Sequence, residues 1–253
     1  MLNQAHISNQ DTYYNRERPS IVGLVRTAPN AVLDLGCGAG AVGRRLLQEG
    51  KASSVVGVEL FAAAAQEAAR HYSAVHTGDI EEMTLPYAAH FDYVLCGDIL
   101  EHLKDPYSIV KKIHGWLKDD GRLVCSLPNV RHWKVLADLA FHGAWDYQDA
   151  GVMDRTHLRF FTRRSCFNML RGAGFEVEQW RMLIAGRRYL LLNSVTFGLF
   201  AEFLGSQIVT LARKKTVQES KAGPTGDQRR AATSVGVHPF RVQENEKTVY
   251  YSR

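Results

Sequence analysis

The sequence lacks any run of apolar residues long enough to cross a lipid bilayer, which takes about 18 to 20 residues. The stretch from Tyr189 to Leu204 comes closest. Polar residues interrupt it at Asn193, Ser194, Thr196 and Glu202. The first residues also lack the charged-then-apolar order of a secretory signal. We therefore expect a cytoplasmic protein without stable membrane insertion.

Cysteine is scarce and charge is nearly balanced. The 253 residues include four cysteines, none of them in a C-x-x-C pair. Three stand in apolar runs, which predicts reduced thiols in the core of a cytosolic protein. The formal net charge of +5 is mildly basic. It favours an anionic small molecule as partner and gives no ground for predicting nucleic-acid binding.

What the sequence does contain is a regular alternation of strand-like and helix-like segments from Ala31 onward. This alternation predicts an α/β fold with a parallel sheet covered by helices on both faces. We predict strands over Ala31–Leu35, Ser54–Glu59, Ala74–Thr77, Phe91–Cys96 and Arg122–Leu127, with a turn at "DDGRL" before the last of them. Two final strands, "FEVEQWRML" and "SQIVTLARK", are predicted around an apolar helix. Helices are predicted over Ala62–His71, Pro106–Leu117 and Thr162–Gly172.

The domain organisation follows from changes in composition along the chain. Residues 30–215 carry the α/β pattern, and residues 1–29 precede it. Within the domain, residues 129–160 are rich in aromatic and polar side chains, which predicts a helix and a long loop that bind substrate. From residue 216 to 253 apolar periodicity vanishes, and we predict a disordered tail.

The segment "VLDLGCGAGAVG" places Asp34, Gly36, Gly38 and Gly40 directly behind a buried strand and before a helix. Glycines in such a turn let a ligand approach bare backbone beside a helix N-terminus. The same glycines fit the relaxed dinucleotide fingerprint, with Glu59 about twenty residues further on. A nicotinamide-dependent oxidoreductase is therefore one possible interpretation.

Acidic residues at three strand ends favour a different ligand. Asp34 stands where a dinucleotide-binding fold usually has an apolar residue, and it can order the loop and face a cationic group. Glu59 ends the second strand, where it can bind two ribose hydroxyls. Asp79 ends the third, where it can accept from an adenine amino group. Together these acids indicate an adenosine attached to a positively charged group.

Five segments, taken in order, resemble the successive motifs of class I S-adenosylmethionine-dependent methyltransferases. They are "VLDLGCGAG", "VVGVEL", "TGDIEEM", "FDYVLCGDILEHLKDP" and "LKDDGRLVCSLPN". The resemblance implies a Rossmann-like sheet of seven strands in the order 3-2-1-4-5-7-6. It also implies that "SQIVTLARK" is the antiparallel seventh strand.

The resemblance further implies S-adenosylmethionine as the cofactor and a set of residues that bind it. Asp34, Gly36, Gly38 and Gly40 would line its methionine and ribose part, Glu59 would hold the ribose, and Leu60 would lie near the adenine. Asp79 and Ile80 would flank the adenine, and Gly97 and Asp98 would approach the methionine end.

Three further segments resemble a narrower group of methyltransferases, found beside glycosyltransferases in polysaccharide clusters, with ubiquinone-pathway O-methyltransferases as more distant relatives. These segments are "YYNRERPSIV", "LPNVRHW" and "DRTHLRFFT". The resemblance implies methylation of a sugar hydroxyl on a glycan or nucleotide-sugar. It also implies that Tyr13, Tyr14 and Arg18 belong to a lid over the cofactor.

A sugar hydroxyl is a poor nucleophile, so methyl transfer to it needs a general base. The candidate catalytic residues are His102, His132, Asp154 and His157. We predict that His132 or His157 is the base and that Asp154 orients it. Arg131, Arg155 and Arg159 are candidates to meet a substrate phosphate.

The segment "DILEH" places Asp98, Glu101 and His102 within one helical turn. The related ubiquinone-pathway enzymes have E-x-x-E-H there and bind a divalent ion, whereas the first residue here is Asp. We predict that Asp98 caps a helix, that His102 faces the substrate, and that no metal is bound. Two alternatives stay open: methylation of a quinone or phenol, which a metal requirement would favour, and a non-catalytic subunit that binds the cofactor and regulates another protein.

Overall fold

A sheet of seven strands forms the centre of the structure, a computed structural model that describes residues 17–215. The order across the sheet is β3-β2-β1-β4-β5-β7-β6, and β7 is antiparallel to both of its neighbours. This confirms the predicted topology. The strands are β1 (Asn30–Leu35), β2 (Ala52–Glu59), β3 (Ala74–Thr77), β4 (Phe91–Gly97), β5 (Leu117–Pro128), β6 (Phe175–Leu183) and β7 (Gln207–Lys214).

Helices cover both faces of this sheet. The α-helices of the described residues are α1 (Pro19–Val22), α2 (Ala41–Gln48), α3 (Ala62–Ala68), α4 (Pro106–Trp116), α5 (Trp133–Ala137), α6 (Arg163–Gly172), α7 (Arg187–Val195) and α8 (Ala201–Leu204). A 3-10 helix spans Leu100–His102, and a π-helical turn spans Asp138–His142. None of the described helices combines the length and the apolar character needed to span a membrane.

The central strands form because they are short aliphatic runs that can be buried on both faces. Val32, Leu33 and Leu35 of β1 are fully buried, as parallel strands between two helical layers require. One apolar cluster lies on each face of the sheet. All four cysteines are buried free thiols, which confirms their predicted place in the core.

Local capping fixes the beginnings of the two longest amphipathic helices. Asp105 accepts a hydrogen bond from the backbone N–H of Ser108 at 3.1 Å, and Pro106 follows it as the first residue of α4. Thr162 and Ser165 form a reciprocal capping box at the start of α6. Both beginnings agree with the predicted boundaries.

The structure corrects two predicted boundaries. Leu117 already pairs with Phe91 of β4, so the predicted turn before the fifth strand is instead an irregularity inside β5. Asp120, with a φ of 60°, absorbs that irregularity. The helix α3 ends at Ala68 and continues only as tight turns toward a buried Tyr72. The predicted tail after residue 215 and the lid residues Tyr13 and Tyr14 lie outside the described residues.

Candidate functional site

The glycine loop lies at the carboxyl end of β1, between that strand and α2. Gly36, Gly38 and Gly40 have φ values of 66°, 55° and 83°, a region that side chains with a Cβ rarely adopt. The N–H groups of Gly36 and Cys37 both donate to the carbonyl of Val58 on β2, at 2.8 and 3.1 Å. The loop is therefore a preformed concave backbone surface tied to the neighbouring strand.

Glu59 ends β2 beside this loop, and its side chain is buried although it is charged. Its Oε2 accepts from the N–H of Gly38 at 2.8 Å, and its Oε1 accepts from the N–H of Phe61 at 3.0 Å. Each carboxylate oxygen keeps a lone pair for another donor. These acceptors suit two ribose hydroxyl donors, the role that the sequence predicts for Glu59.

Asp34 is the second-last residue of β1, directly before the loop, and is almost fully buried. Its Oδ2 accepts from the hydroxyl of Tyr72 at 2.6 Å. Burial raises the pKa of Asp34 to about 6, against the lowering effects of the Tyr72 hydrogen bond and of Arg18. An arriving cation would favour the ionised form, so this carboxyl fits a positively charged ligand.

The three residues expected near the adenine differ in exposure and in their contacts. Leu60 is 57% exposed at the edge of the sheet. Asp79 accepts from the N–H of Glu81 at 2.8 Å and so caps its own turn. Ile80 is buried in the core, so its side chain contributes packing at this point of the fold.

Asp98 follows β4 with a φ of 53° and makes an ion pair with Arg18. It also accepts from the hydroxyl of Ser126 at 2.6 Å and from the side-chain amide of Gln207. Burial acts to raise the pKa of Asp98, but Arg18 and these hydrogen bonds outweigh it and hold the pKa below its usual value. The prediction that Asp98 caps a helix is wrong, because its carboxylate is occupied by these partners and the 3-10 helix begins after Ile99.

The side chain of Arg18 lies over Gly97, where a Cβ would come within 3.0 Å of its Cδ. Arg18 comes from the segment before α1, so this part of the predicted lid does lie over the end of β4. The end of β4 therefore lies beside a half-buried guanidinium.

A second group of polar side chains lies just beyond β4. Glu101, His102 and His157 each offer a ligand atom, and these atoms all lie within 4.8 Å of one another. Both carboxylate oxygens of Glu101 are buried and have no hydrogen-bond partner among the described residues. Burial, with Asp98 adding to its effect, raises the pKa of Glu101 well above its usual value.

The two histidines of this group are held by backbone carbonyls. His157 Nδ1 lies 3.0 Å from the carbonyl of Val152, and His102 Nδ1 lies 3.2 Å from the carbonyl of Thr156. Because a carbonyl can only accept, each Nδ1 carries the proton and each Nε2 has a free lone pair. Burial lowers the pKa of His102, and the neighbouring His157 adds to this effect.

Asp154 does not orient His157 in the predicted way. Its Oδ1 accepts from the N–H and the hydroxyl of Thr156, at 2.8 and 2.6 Å. This local turn is satisfied within three residues, and the Val152 carbonyl holds the imidazole instead. Asp154 therefore shapes the loop that carries His157.

His132 lies away from this group, at the residue before α5, and its ring is tilted against Trp133. Burial lowers its pKa, and Lys134 adds to the effect. No contact among the described residues joins it to Glu101 or His157. The structure thus brings His102, His157 and Asp154 together and leaves His132 apart. Glu101, which the sequence pattern suggests only as part of a metal site, joins His102 and His157.

The arginines expected to meet a phosphate have partners in the protein. Arg131 makes an ion pair with Glu202 at 2.6 Å, and Arg155 makes one with Asp149 at 2.5 Å. Arg159 donates to the carbonyl of Lys104. Their expected role as a phosphate-binding set is not supported by this arrangement.

Comparison with known proteins agrees with the geometry. A family model described as a methyltransferase domain matches residues 9–179. Ubiquinone biosynthesis O-methyltransferase from Idiomarina loihiensis is 30% identical over 155 residues, 57% of this chain and 61% of that protein. The enzyme of that name from Pseudomonas paraeruginosa is 33% identical over 108 residues, 40% of this chain and 46% of that protein. The chain spans about half the length of the curated relatives it matches.

Solved structures share the fold at low sequence identity. A SAM-dependent methyltransferase from Archaeoglobus fulgidus has a TM-score of 0.58 at 17% identity, covering 81% of this chain and 94% of that one. An S-adenosylmethionine-dependent methyltransferase from Mesorhizobium loti has a TM-score of 0.57 at 17% identity, covering 81% and 100%. With the family match, the strand order and the acid-flanked glycine loop in agreement, this chain belongs to the methyltransferase domain family and has the class I fold of S-adenosylmethionine-dependent methyltransferases.

Proposed function

We propose that this protein is an S-adenosylmethionine-dependent O-methyltransferase whose acceptor is a hydroxyl on the ring of an apolar compound. The single observation that carries the proposal is the group of Glu101, His102 and His157 beside the cofactor edge of the sheet. The cofactor supplies an electrophilic methyl carbon on a sulfonium. The protein has to position the acceptor oxygen and remove its proton.

The cofactor would lie along the carboxyl ends of β1, β2 and β4. Glu59 would accept from the ribose hydroxyls while it continues to hold the loop through Gly38. Asp34 would ionise toward the positive charge of the ligand. Arg18, which is half-buried over Gly97 and paired with Asp98, would also attract a carboxylate at the methionine end.

His157 is the proposed base. Its Nδ1 proton is fixed by the Val152 carbonyl, so Nε2 is available to accept the hydroxyl proton of the acceptor. Glu101 lies within reach of the same group and is uncharged while it has no cationic partner. As His157 gains the acceptor proton, Glu101 would release its own proton to solvent, and its carboxylate would then compensate the positive charge of the imidazolium.

Aromatic rings next to His157 support a flat acceptor. Phe160 lies 6.4 Å from the His157 ring, 5.3 Å from Trp145 and 6.3 Å from Tyr147, measured between ring centroids. Rings of this kind bind an aromatic face by stacking. The names of the relatives, ubiquinone biosynthesis O-methyltransferases, point to the same chemical class.

A sugar acceptor is the second candidate, favoured by one observation. A cavity of about 260 Å³ within the segment after β5 is lined by Asp138 and Asp146 together with Trp145. Carboxylates beside an indole can bind the hydroxyls and one face of a sugar. The comparisons do not support this acceptor.

A divalent cation also fits the group around Glu101. One carboxylate and two imidazole nitrogens with free lone pairs form a donor set suited to zinc-like ions. Asp98 does not belong to this set, because Arg18, Ser126 and Gln207 occupy it. If an ion is held here, it would ionise Glu101 and polarise the acceptor oxygen.

The deciding experiment supplies purified protein with methyl-labelled cofactor and two acceptor sets, catechol-type rings with and without an alkyl tail, and nucleotide-sugars. Mass spectrometry then locates the label, with and without chelator. The proposal is supported if the label appears on a ring oxygen and if the variant His157→Ala no longer transfers it while binding the cofactor with unchanged affinity. Cofactor binding without transfer to any acceptor would favour a regulatory subunit.

A further inference from the structure

The region between β6 and β7 exposes an unusual number of large apolar side chains. The α7 patch consists of the exposed residues Leu191, Leu192, Val195, Phe197, Leu199 and Phe200. Phe197 and Leu199 are 81% and 77% exposed, so these side chains project from the surface rather than line a groove. Six exposed large apolar side chains within ten residues of the chain mark a candidate interaction site.

The charged residues within the segment that forms the patch have one sign. Arg187 and Arg188 are exposed at the beginning of α7, and no acidic residue occurs between Arg187 and Ala201. Glu202 comes next, and it is occupied by ion pairs with Arg131 and Arg163. Exposed apolar side chains beside arginines are the pattern of helices that lie in a membrane interface and attract anionic headgroups.

The inner face of α7 fixes the patch to the rest of the protein. Asn193 is fully buried, and the ring of Tyr189 contacts Trp133 of α5 at 6.0 Å between centroids. With nine residues, α7 is about 14 Å long, too short to span a bilayer. It can therefore only lie along a membrane surface while the body of the protein stays in water.

We propose that the α7 patch binds the surface of a bilayer that contains anionic lipids. The apolar side chains enter the interface, and Arg187 and Arg188 meet the headgroups. A bilayer fits better than a partner protein, because projecting side chains need a deformable apolar phase, whereas a protein partner would have to supply a matching cavity. Through the contact of Tyr189 with Trp133, docking places α5, the first helix after β5, close to the lipid. This inference does not depend on the proposed acceptor.

The test is cosedimentation of the full chain with vesicles of phosphatidylcholine alone and of phosphatidylcholine with phosphatidylglycerol, at low and high salt. We expect binding to the anionic vesicles that weakens with salt. The double variant Phe197→Glu/Leu199→Glu should bind at least tenfold less, and Arg187→Glu/Arg188→Glu should lose the preference for anionic lipid. Tyr107→Glu, at a half-exposed aromatic residue on α4, is the matched control and should bind like the wild type.

Light scattering and cofactor calorimetry on the same variants show whether each is folded. The inference is overturned if the wild type does not sediment with anionic vesicles, or if the folded double variant sediments equally well. The inference is also overturned if neither protein binds vesicles, the wild type is a dimer and the double variant is a monomer. That outcome would assign the patch to contact with a second copy of the chain. None of these readouts requires methyl transfer, so the outcome is separate from that of the proposed function.

Discussion

The hydroxyl of Tyr72 joins the acid of the glycine loop to the helix that follows it. It donates to Asp34 Oδ2 at 2.6 Å and accepts from the N–H of Gly43 at 3.0 Å. The same hydroxyl therefore positions Asp34 and satisfies a free N–H in the first turn of α2. One buried side chain therefore connects β1, α2 and the turn after α3.

Among the residues around Tyr72, we expect Gly43 to be the most sensitive to substitution. A Cβ at this position would lie 2.4 Å from the Tyr72 Cζ, so Gly43→Ala must displace the ring. We expect a loss of about 1–3 kcal/mol in the free energy of unfolding, and weaker cofactor binding. Gly115→Ala is the control, since its Cβ meets nothing within 4 Å inside α4, and it should stabilise by about 0.5–1 kcal/mol. Urea titration and calorimetry measure both, and equal effects of the two variants would refute the prediction.

Asp34 predicts a pH dependence of stability. Its pKa is about 6 in the folded protein and 3.8 when unperturbed, so the folded state holds the proton more tightly. The resulting stabilisation is complete below about pH 4 and is lost as the pH rises through 6, a difference of about 3 kcal/mol. Asp34→Asn removes this titration. The difference in unfolding free energy between wild type and variant should therefore change across pH 4–7, and a constant difference would contradict the assignment.

The ion pair of Arg18 with Asp98 predicts non-additive substitutions. Arg18→Gln leaves a half-buried carboxylate without its counter-ion and should cost about 1–3 kcal/mol of unfolding free energy. Asp98→Asn in the same chain removes that charge, so the double variant should be more stable than the sum of the single losses. Chemical denaturation without cofactor measures the cycle. Strict additivity would show that the two side chains do not interact.

The group around Glu101 predicts a difference between Glu101→Gln and Glu101→Ala. Gln keeps the volume and removes the titration, so the variant should fold and bind cofactor normally while methyl transfer slows by about tenfold or more. Zinc titration followed by calorimetry gives a readout independent of turnover, and either substitution should weaken any zinc binding. Glu101→Ala leaves a cavity and should also lower stability by about 2–4 kcal/mol. Full activity in Glu101→Gln would remove this residue from the proposed site.

The strands of the sheet are predictable from the sequence because aliphatic runs such as Ala31–Leu33 favour burial between two layers of helices. It also predicts Glu59 beside the glycine loop, because a strand end and a loop fix where that carboxylate points. The pair of Arg18 with Asp98 joins positions 80 residues apart, and no local pattern specifies its geometry. Asp154 was misassigned because the nearby Thr156 competes for its carboxylate, a local preference that the D-x-T spacing already contains.

Both ends of the segment after β5 are attached to the sheet at one place. Asn129 and Phe161 form a parallel bridge, and the Asn129 side chain donates to the carbonyls of Glu202 and Gly205 at 2.7 and 2.8 Å. The chain therefore leaves the sheet before residue 130 and returns to it after residue 160 at neighbouring points. The length and composition of residues 130–160 can vary without altering the pairing of the strands. Under the proposed function, in which this segment binds the acceptor, acceptor choice could diverge while the strands that hold the methyl donor stay unchanged, and exchanging the segment between family members would be a route to new methylation specificities.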